Sequence, residues 1–262
     1  MPQRFCLTNS PFLALTLLVI VAFFHFTPDA AAQDWNRDNT PRALLFNFGY
    51  GPELPGGDME RRFGLTWSPE ISVDYMTLSN WTIGLQWQYL LGPNVKEDVL
   101  QGLRTSTGAI IGTDRSPAQI NLTLRGFYLG GQIGRLISLS EKNTRAGLRL
   151  NLGAGILQHR INVQDDPLRT VAPLTGDYLA GYDRLTNGLA IHQFIGYQVI
   201  GIRDGINITA GFEFTQAFTK NRRNYDFATQ MRLDENRFDS LVGFRFSFTL
   251  PLWLGNAEEI FY

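Results

Sequence analysis

The chain has 262 residues, a formal net charge of -1 at pH 7 and 44% hydrophobic residues. This near-neutral charge gives no reason to expect nucleic acid or another strongly charged partner. The composition suits a soluble protein and equally a membrane β-barrel, because barrel strands spread their apolar residues in alternation and do not gather them into one long run.

The N-terminus has the three parts of a secretory signal peptide. Arg4 supplies a positive charge, "PFLALTLLVIVAFF" is a compact apolar segment, and Ala30 and Ala32 occupy the small-residue positions of a cleavage site. We predict that residues 1–32 are removed by cleavage before Gln33 and that the mature protein is exported. The alternative, an N-terminal membrane anchor, is disfavoured because the apolar segment is short for a spanning helix.

The residue types that usually bind metals are scarce after this segment. The single cysteine, Cys6, would leave with the signal peptide, and the two remaining histidines, His159 and His192, are far apart in sequence. We therefore expect no disulfide, no metal site and no cofactor in the mature chain.

Eight segments alternate apolar and polar residues with the period of a β-strand. In "NWTIGLQWQYLLG", for example, Trp81, Ile83 and Leu85 fall on one face, with Thr82 and Gly84 on the other. The eight segments are residues 43–50, 63–76, 80–92, 120–134, 147–157, 189–199, 206–218 and 238–252. The alternation of the fourth segment blurs beside Gly126, which predicts a β-bulge there.

The connections between these segments alternate in length. Short turns follow the second, fourth and sixth segments, and longer polar segments follow the others. Short turns on one rim and long loops on the other are typical of bacterial outer-membrane barrels. We therefore predict an all-β fold: an eight-stranded antiparallel up-and-down transmembrane β-barrel over residues 33–254, with residues 255–262 as a short periplasmic tail.

The polar faces of the strands indicate which side meets lipid. They are rich in Asn, Gln, Thr and Gly, whereas soluble sheets normally present more Lys and Glu to water. We predict that the apolar faces point outward and that the lumen is filled, with no open pore. A structural network of lumen ion pairs is predicted from a balanced set of charges: Glu70, Asp74, Arg125, Arg149, Glu213 and Arg245.

One of these ion pairs follows from an assumed strand register. If Gly205 lies opposite Trp253 at the short-turn rim, eight steps along each strand place Glu213 beside Arg245.

In its architecture the chain resembles the small eight-stranded outer-membrane barrels of the OmpA and OmpX type, over essentially the whole mature sequence. Its end, "RFDSLVGFRFSFTLPLWLGNAEEIFY", is also similar to the ends of outer-membrane barrels of the Bacteroidetes group. The resemblance implies an outer-membrane location, folding by the barrel assembly machinery, and contact with outer-membrane lipids and lipopolysaccharide. It provides no catalytic residues.

The long loops are the candidate surface for binding. "TKNRRNYDF" brings Lys220, Arg222 and Arg223 next to Tyr225, a set suited to lipopolysaccharide phosphates or to a partner protein. We expect no enzyme but a structural or adhesive protein, or an accessory subunit of an envelope complex such as a secretion machine. Two alternatives stay open: a lipid A-modifying enzyme that uses His159 or His192, and a soluble exported lipocalin-like ligand binder.

Overall fold

The computed structural model describes residues 42–141, 143–166, 168–201, 207–232 and 236–254. The predicted signal peptide, its cleavage site and the tail at 255–262 lie outside these residues. In the described part of the chain, no helix has the length and apolar character needed to cross a membrane.

The described residues form twelve strands and three short 3-10 helices. The strands are β1 Arg42–Tyr50, β2 Pro52–Gly57, β3 Thr66–Trp67, β4 Glu70–Met76, β5 Trp81–Gly92, β6 Ile110–Ile111, β7 Pro117–Ala118, β8 Asn121–Ser138, β9 Ala146–Gln164, β10 Thr186–Val199, β11 Ile208–Asn221 and β12 Asn236–Leu254. The 3-10 helices are Gln101–Leu103, Ala172–Leu174 and Gly176–Gly181.

Eight of these strands close into a ring. Going around it, β1 pairs with β4, and β5, β8, β9, β10, β11 and β12 follow, each antiparallel to its neighbour. Strand β12 then pairs with β1, so the ring has no free edge. The predicted all-β, eight-stranded antiparallel barrel is confirmed.

Strands β2 and β3 extend two members of the ring towards the long loops. Tyr50 lies opposite Phe246, and three residues further on Glu53 lies opposite Gly243, so β1 and β2 keep one register against β12. Strands β3 and β4 are likewise one strand, broken at Ser68–Pro69, where proline has no N–H to donate to the ladder. The predicted segment 63–76 therefore contains both pieces.

The connections at one end of the ring are short: residues 77–80, 139–145 and 200–207. In the first of them Asn80 has φ of 65°, a left-handed conformation that asparagine tolerates well. We call this the short-turn end and the opposite one the long-loop end. The loop after β5 carries the small hairpin of β6 and β7.

From the short-turn end to beyond the middle of the barrel, apolar side chains face outward. Ile83, Leu85 and Phe212 are more than half exposed, while Gln86 and Glu213 on the opposite faces of the same strands are buried. The alternation that the sequence shows is thus oriented with its apolar side out, as predicted.

Towards the long-loop end, the inward-facing residues of the strands are apolar and form an apolar interior. Leu124, Tyr128 and Leu157 face inward and are buried, and they pack with Met59 and Phe63. On β8 and β9 the outward-facing residues at this level are polar: Thr123, Arg125, Arg160 and Asn162. The barrel therefore extends beyond the part of its wall that is coated with apolar residues.

Two predictions are corrected here. Arg125 is not in the lumen: it lies on the outward face of β8, between the inward-facing Leu124 and Gly126. Strands β8 and β9 keep one register from Asn121 to Ser138, so there is no bulge beside Gly126. Both errors come from the assumption that leucine always faces lipid, which fails where the interior becomes apolar.

Candidate functional site: the lumen and the loop cap

The middle of the lumen holds a cluster of charges around one arginine. The guanidinium of Arg245 donates to Glu213 through Nε (2.7 Å to Oε2) and Nη2 (2.6 Å to Oε1). Its Nη1 contacts Glu70, and Glu53 Oε1 lies 3.7 Å from Nη2. All four side chains are buried, so one guanidinium faces three carboxylates with little help from solvent.

The contact between Glu213 and Arg245 forms in a different register from the one predicted. Glu213 lies opposite Gly243, and Arg245 lies opposite Gly211, so the predicted register is wrong by two residues. The two charged residues are diagonal neighbours on the inner face, and long side chains reach across that separation.

A second ion pair lies next to the first. Arg149 Nη2 donates to Asp74 Oδ2 at 2.8 Å, and both residues are buried. The Asp74 carboxylate also accepts from Gln132 (2.8 Å) and Asn47 (3.0 Å), while Arg149 Nη1 donates to Gln198 at 2.7 Å. The structure thus places five of the six predicted lumen charges inside the barrel and Arg125 outside it.

Glu53 is a member of this cluster that sequence analysis missed. It accepts from Gln88 Nε2 at 2.5 Å and is fully buried, although it falls in a segment that was predicted to be a loop. Glu53 continues the alternation of Asn47 and Gly49 into β2, but the prolines and glycines around it have the composition of a loop. With Glu53 included and Arg125 excluded, four carboxylates face two guanidiniums, and the predicted charge balance is lost.

Both described histidines point into the barrel. His192 Nδ1 is 3.0 Å from the hydroxyl of Thr215, and its ring lies 5.4 Å from that of Tyr128. His159 Nε2 is 2.9 Å from Asp239 Oδ2, which also accepts from Thr219 at 2.5 Å. Both imidazoles are buried, so neither is presented to the outer surface.

The cavity between the lumen charges is small. A cavity of about 30 Å³ lies between Asp74, Arg149, His192 and Arg245, which is room for about two water molecules. Within the described residues, no three His, Cys, Asp or Glu side chains are grouped as metal ligands would be.

The long loops are joined over the barrel by ion pairs that we call the loop cap: Arg62, Glu97, Asp183, Arg184, Arg223 and Asp226. Glu97 binds Arg62 at 3.0 Å and also contacts Arg184. Arg184 Nε in turn lies 2.7 Å from Asp226. These contacts connect all four long loops above the apolar interior.

Burial and the neighbouring charge of Arg237 lower the pKa of Arg62 to about 10. Arg62 therefore still carries its proton at neutral pH and keeps its ion pair with Glu97.

The four residues predicted to contact lipopolysaccharide or a partner differ in their availability. Arg223 is paired with Asp183, and this hydrogen bond raises the pKa of the Arg223 guanidinium. Arg222 donates to Asn187 at 2.5 Å, Lys220 lies partly buried on the outer wall of β11, and the half-exposed Tyr225 packs against the ring of Phe227. The charge of Arg223 is thus balanced within the chain.

Comparisons with known proteins find similarity only among solved structures. No protein-family model and no curated protein matches the chain. Neisserial surface protein A is 10% identical with a TM-score of 0.40, over 79% of this chain and 97% of that one. The attachment invasion locus protein Ail of Yersinia pestis is 9% identical with a TM-score of 0.37, over 79% and 99%.

The outer membrane protein OprG from Pseudomonas aeruginosa is 9% identical with a TM-score of 0.32, over 83% of this chain and 99% of that one. At these identities the likeness concerns the fold alone. The eight-stranded antiparallel ring of this chain rests on its own strand pairing.

Proposed function

We propose that the protein is an integral outer-membrane barrel with a closed lumen, which displays its loop cap at the cell surface. The support is the apolar outer wall. On β8 this wall runs from Arg135 to Arg125, ten positions apart. Ten residues rise about 34 Å along a strand, or about 24 Å across a membrane at a tilt of about 45°, which fits the apolar band of outer-membrane barrels.

The proposed role rests on one observation: the lumen is filled at two levels, in its middle and at its long-loop end. The Arg245 cluster fills its middle, and the apolar interior with the loop cap above it fills the long-loop end. A barrel with a filled lumen does not conduct solutes, so we expect its function to depend on contacts made by its outer surface and long loops. Its role is structural or adhesive, or that of an accessory subunit of an envelope complex, with the long loops as the partner-binding surface.

The two alternative functions fit the geometry less well. A lipid A-modifying enzyme needs a base and a nucleophile that can reach lipid, whereas His159 and His192 are buried and face inward. A soluble ligand binder needs an apolar interior and a polar exterior along the whole barrel. Here Leu85 and Phe212 face outward and are more than half exposed.

Export by the N-terminal signal, folding by the barrel assembly machinery and contact with lipopolysaccharide belong to this proposal. N-terminal sequencing of the protein from isolated outer membranes tests the first of them. A mature chain that begins at Gln33 supports the assigned cleavage site, and one that retains residues 1–32 contradicts it.

The closed lumen is tested by single-channel recording in planar lipid bilayers. Purified protein should insert without producing stable conductance steps, because the Arg245 cluster leaves room for only about two water molecules. A wide open porin from the same membranes serves as the positive control. Stable ohmic steps from the wild-type protein would contradict the closed lumen and indicate an open channel.

A further inference from the structure

Two arginines of like charge lie side by side on the outer wall. Arg125 of β8 is directly opposite Arg160 of β9, and both side chains face outward. Directly opposed residues of an antiparallel pair have Cβ atoms about 4.5–5.5 Å apart, and like charges in this arrangement repel. An anion bound between the two guanidiniums would remove this repulsion.

No side chain of the described residues supplies that negative charge. Neither guanidinium makes a hydrogen bond or ion pair within the described ranges, in contrast to Arg149 and Arg245 inside the barrel. Arg223 of the loop cap, which lies near Arg160, is already paired with Asp183. The positive charge of the Arg125–Arg160 pair is therefore uncompensated.

The pair lies at the upper limit of the apolar wall. On β8 the outward residues towards the short-turn end are Phe127, Leu129 and Ile133, of which the latter two are exposed. On β9 the exposed Ile156 lies four positions below Arg160. In the proposed membrane position, both guanidiniums are thus level with lipid head groups, while lipid chains cover the residues below them.

A cleft beside Arg160 provides space at the same level. It has a volume of about 200 Å³ and is lined by Arg160, Asn162, Leu179, Ala180, Asp183 and Arg223. Its lining combines apolar and polar residues, as expected for a site that receives the polar end of an amphiphile.

We propose that Arg125 and Arg160 form a binding site for the phosphate group of a lipid in the outer leaflet of the membrane. A guanidinium donates two parallel hydrogen bonds to phosphate oxygens, so two adjacent arginines can hold one phosphate from two sides. The acyl chains of the lipid then lie along Phe127, Leu129 and Ile156. This inference rests on the proposed membrane position and adds a lipid partner to it.

The test measures binding of diphosphorylated lipid A to the detergent-purified protein by native mass spectrometry. We expect the wild type to bind, and the R125Q/R160Q double variant to bind at least tenfold more weakly. The matched control is Arg61→Gln, since the Arg61 side chain is 85% exposed in the first long loop, and it should bind like the wild type. Lipid A stripped of its phosphates should bind the wild type at least tenfold more weakly.

Equal affinity of the double variant and the wild type, or equal affinity for both forms of lipid A, overturns the proposal. Full displacement of the lipid by an equal concentration of inorganic phosphate would assign the site to free phosphate and overturn the lipid version. If the double variant does not fold, the R125K/R160K variant replaces it. It keeps the charges but not the paired hydrogen bonds, and its affinity should fall below that of the wild type.

The mobility of each sample on an SDS gel before and after boiling separates this inference from the proposed function. A sample that shifts on boiling but binds both forms of lipid A equally contradicts the phosphate site alone. A sample that does not shift contradicts the membrane barrel itself.

Discussion

Arg245 is the residue on which the middle of the barrel depends. Its guanidinium binds Glu213 and Glu70 directly and lies near Glu53. Inside a closed ring these carboxylates have almost no contact with water. Removal of one partner from such a cluster leaves uncompensated charge in a medium that solvates it poorly.

The variant Arg245→Gln should lower the free energy of unfolding by about 3–5 kcal/mol, the usual cost of breaking a buried ion pair. Urea unfolding of the protein in lipid vesicles measures this change. In a double-mutant cycle, adding Glu213→Gln to the variant should restore part of the loss, because one buried carboxylate is then neutral.

The control for this cycle is Arg61→Gln, which removes an exposed guanidinium and should leave the unfolding free energy within about 0.5 kcal/mol of the wild type. A loss as small as this for Arg245→Gln, or additive effects of the two lumen substitutions, would argue against the cluster.

At the residue scale, the sequence could predict which charged residues lie in the lumen wherever the apolar residues of a strand all face outward. Asp74, Arg149, Glu213 and Arg245 each alternate with apolar neighbours that face outward, and all four lie in the lumen. Arg125 could not be placed in this way, because its neighbour Leu124 packs into an apolar interior that only the assembled long loops create.

At the scale of elements, the strands extend beyond the apolar wall to support the long loops. Strands β8 and β9 have 18 and 19 residues, whereas about 9–11 are enough to span a bilayer. The surplus length carries the inward-facing Leu124, Leu157 and Ile161 on which the loops pack. The loop cap then connects the loops to one another.

The variant Glu97→Gln should loosen the loop cap, because Glu97 binds both Arg62 and Arg184. We expect faster cleavage of the long loops by trypsin, with the barrel itself intact, since the ring strands keep all their pairings. The fragment pattern on a gel over time measures this change.

Asp98→Asn is the matched control for this substitution. Asp98 is the next residue along the chain, and its ion pair with Arg104 is partly exposed and lies within one loop. Its cleavage rate should stay close to that of the wild type. If both variants are cleaved as slowly as the wild type, the cap ion pairs do not hold the loops.

The eight ring strands could be predicted from the sequence because alternation and loop length are local signals. The extension of β1 into β2 could not be predicted, since "GPELPGG" contains two prolines and three glycines and has the composition of a loop. This segment is held as a strand by its pairing with β12, a contact that is remote in sequence. The loop cap was missed for the same reason.

At the scale of the whole molecule, the outer wall decides between a membrane protein and a soluble one. Leu85 lies on the outward face of β5 and is 67% exposed. In a soluble protein an exposed leucine tolerates a charge with a change of about 0.5 kcal/mol or less. On the lipid face of a barrel, an arginine near the bilayer midplane costs about 2–4 kcal/mol.

We therefore expect Leu85→Arg to lower the unfolding free energy in vesicles by about 2–4 kcal/mol. Leu168→Arg is the control, since Leu168 is 90% exposed in a long loop and outside the strands, and it should have almost no effect. If the two substitutions had equal and small effects, the outer wall would not be in lipid.

The most direct test of the barrel in the outer membrane is the mobility of the protein on an SDS gel. Outer membranes are extracted with detergent, and boiled and unboiled samples are compared. A ring in which β12 closes on β1 leaves no strand edge at which unfolding can begin. The account predicts a band from the outer-membrane fraction whose mobility changes only after boiling. Protein that is found soluble in the periplasm, with the same mobility in both samples, would contradict it.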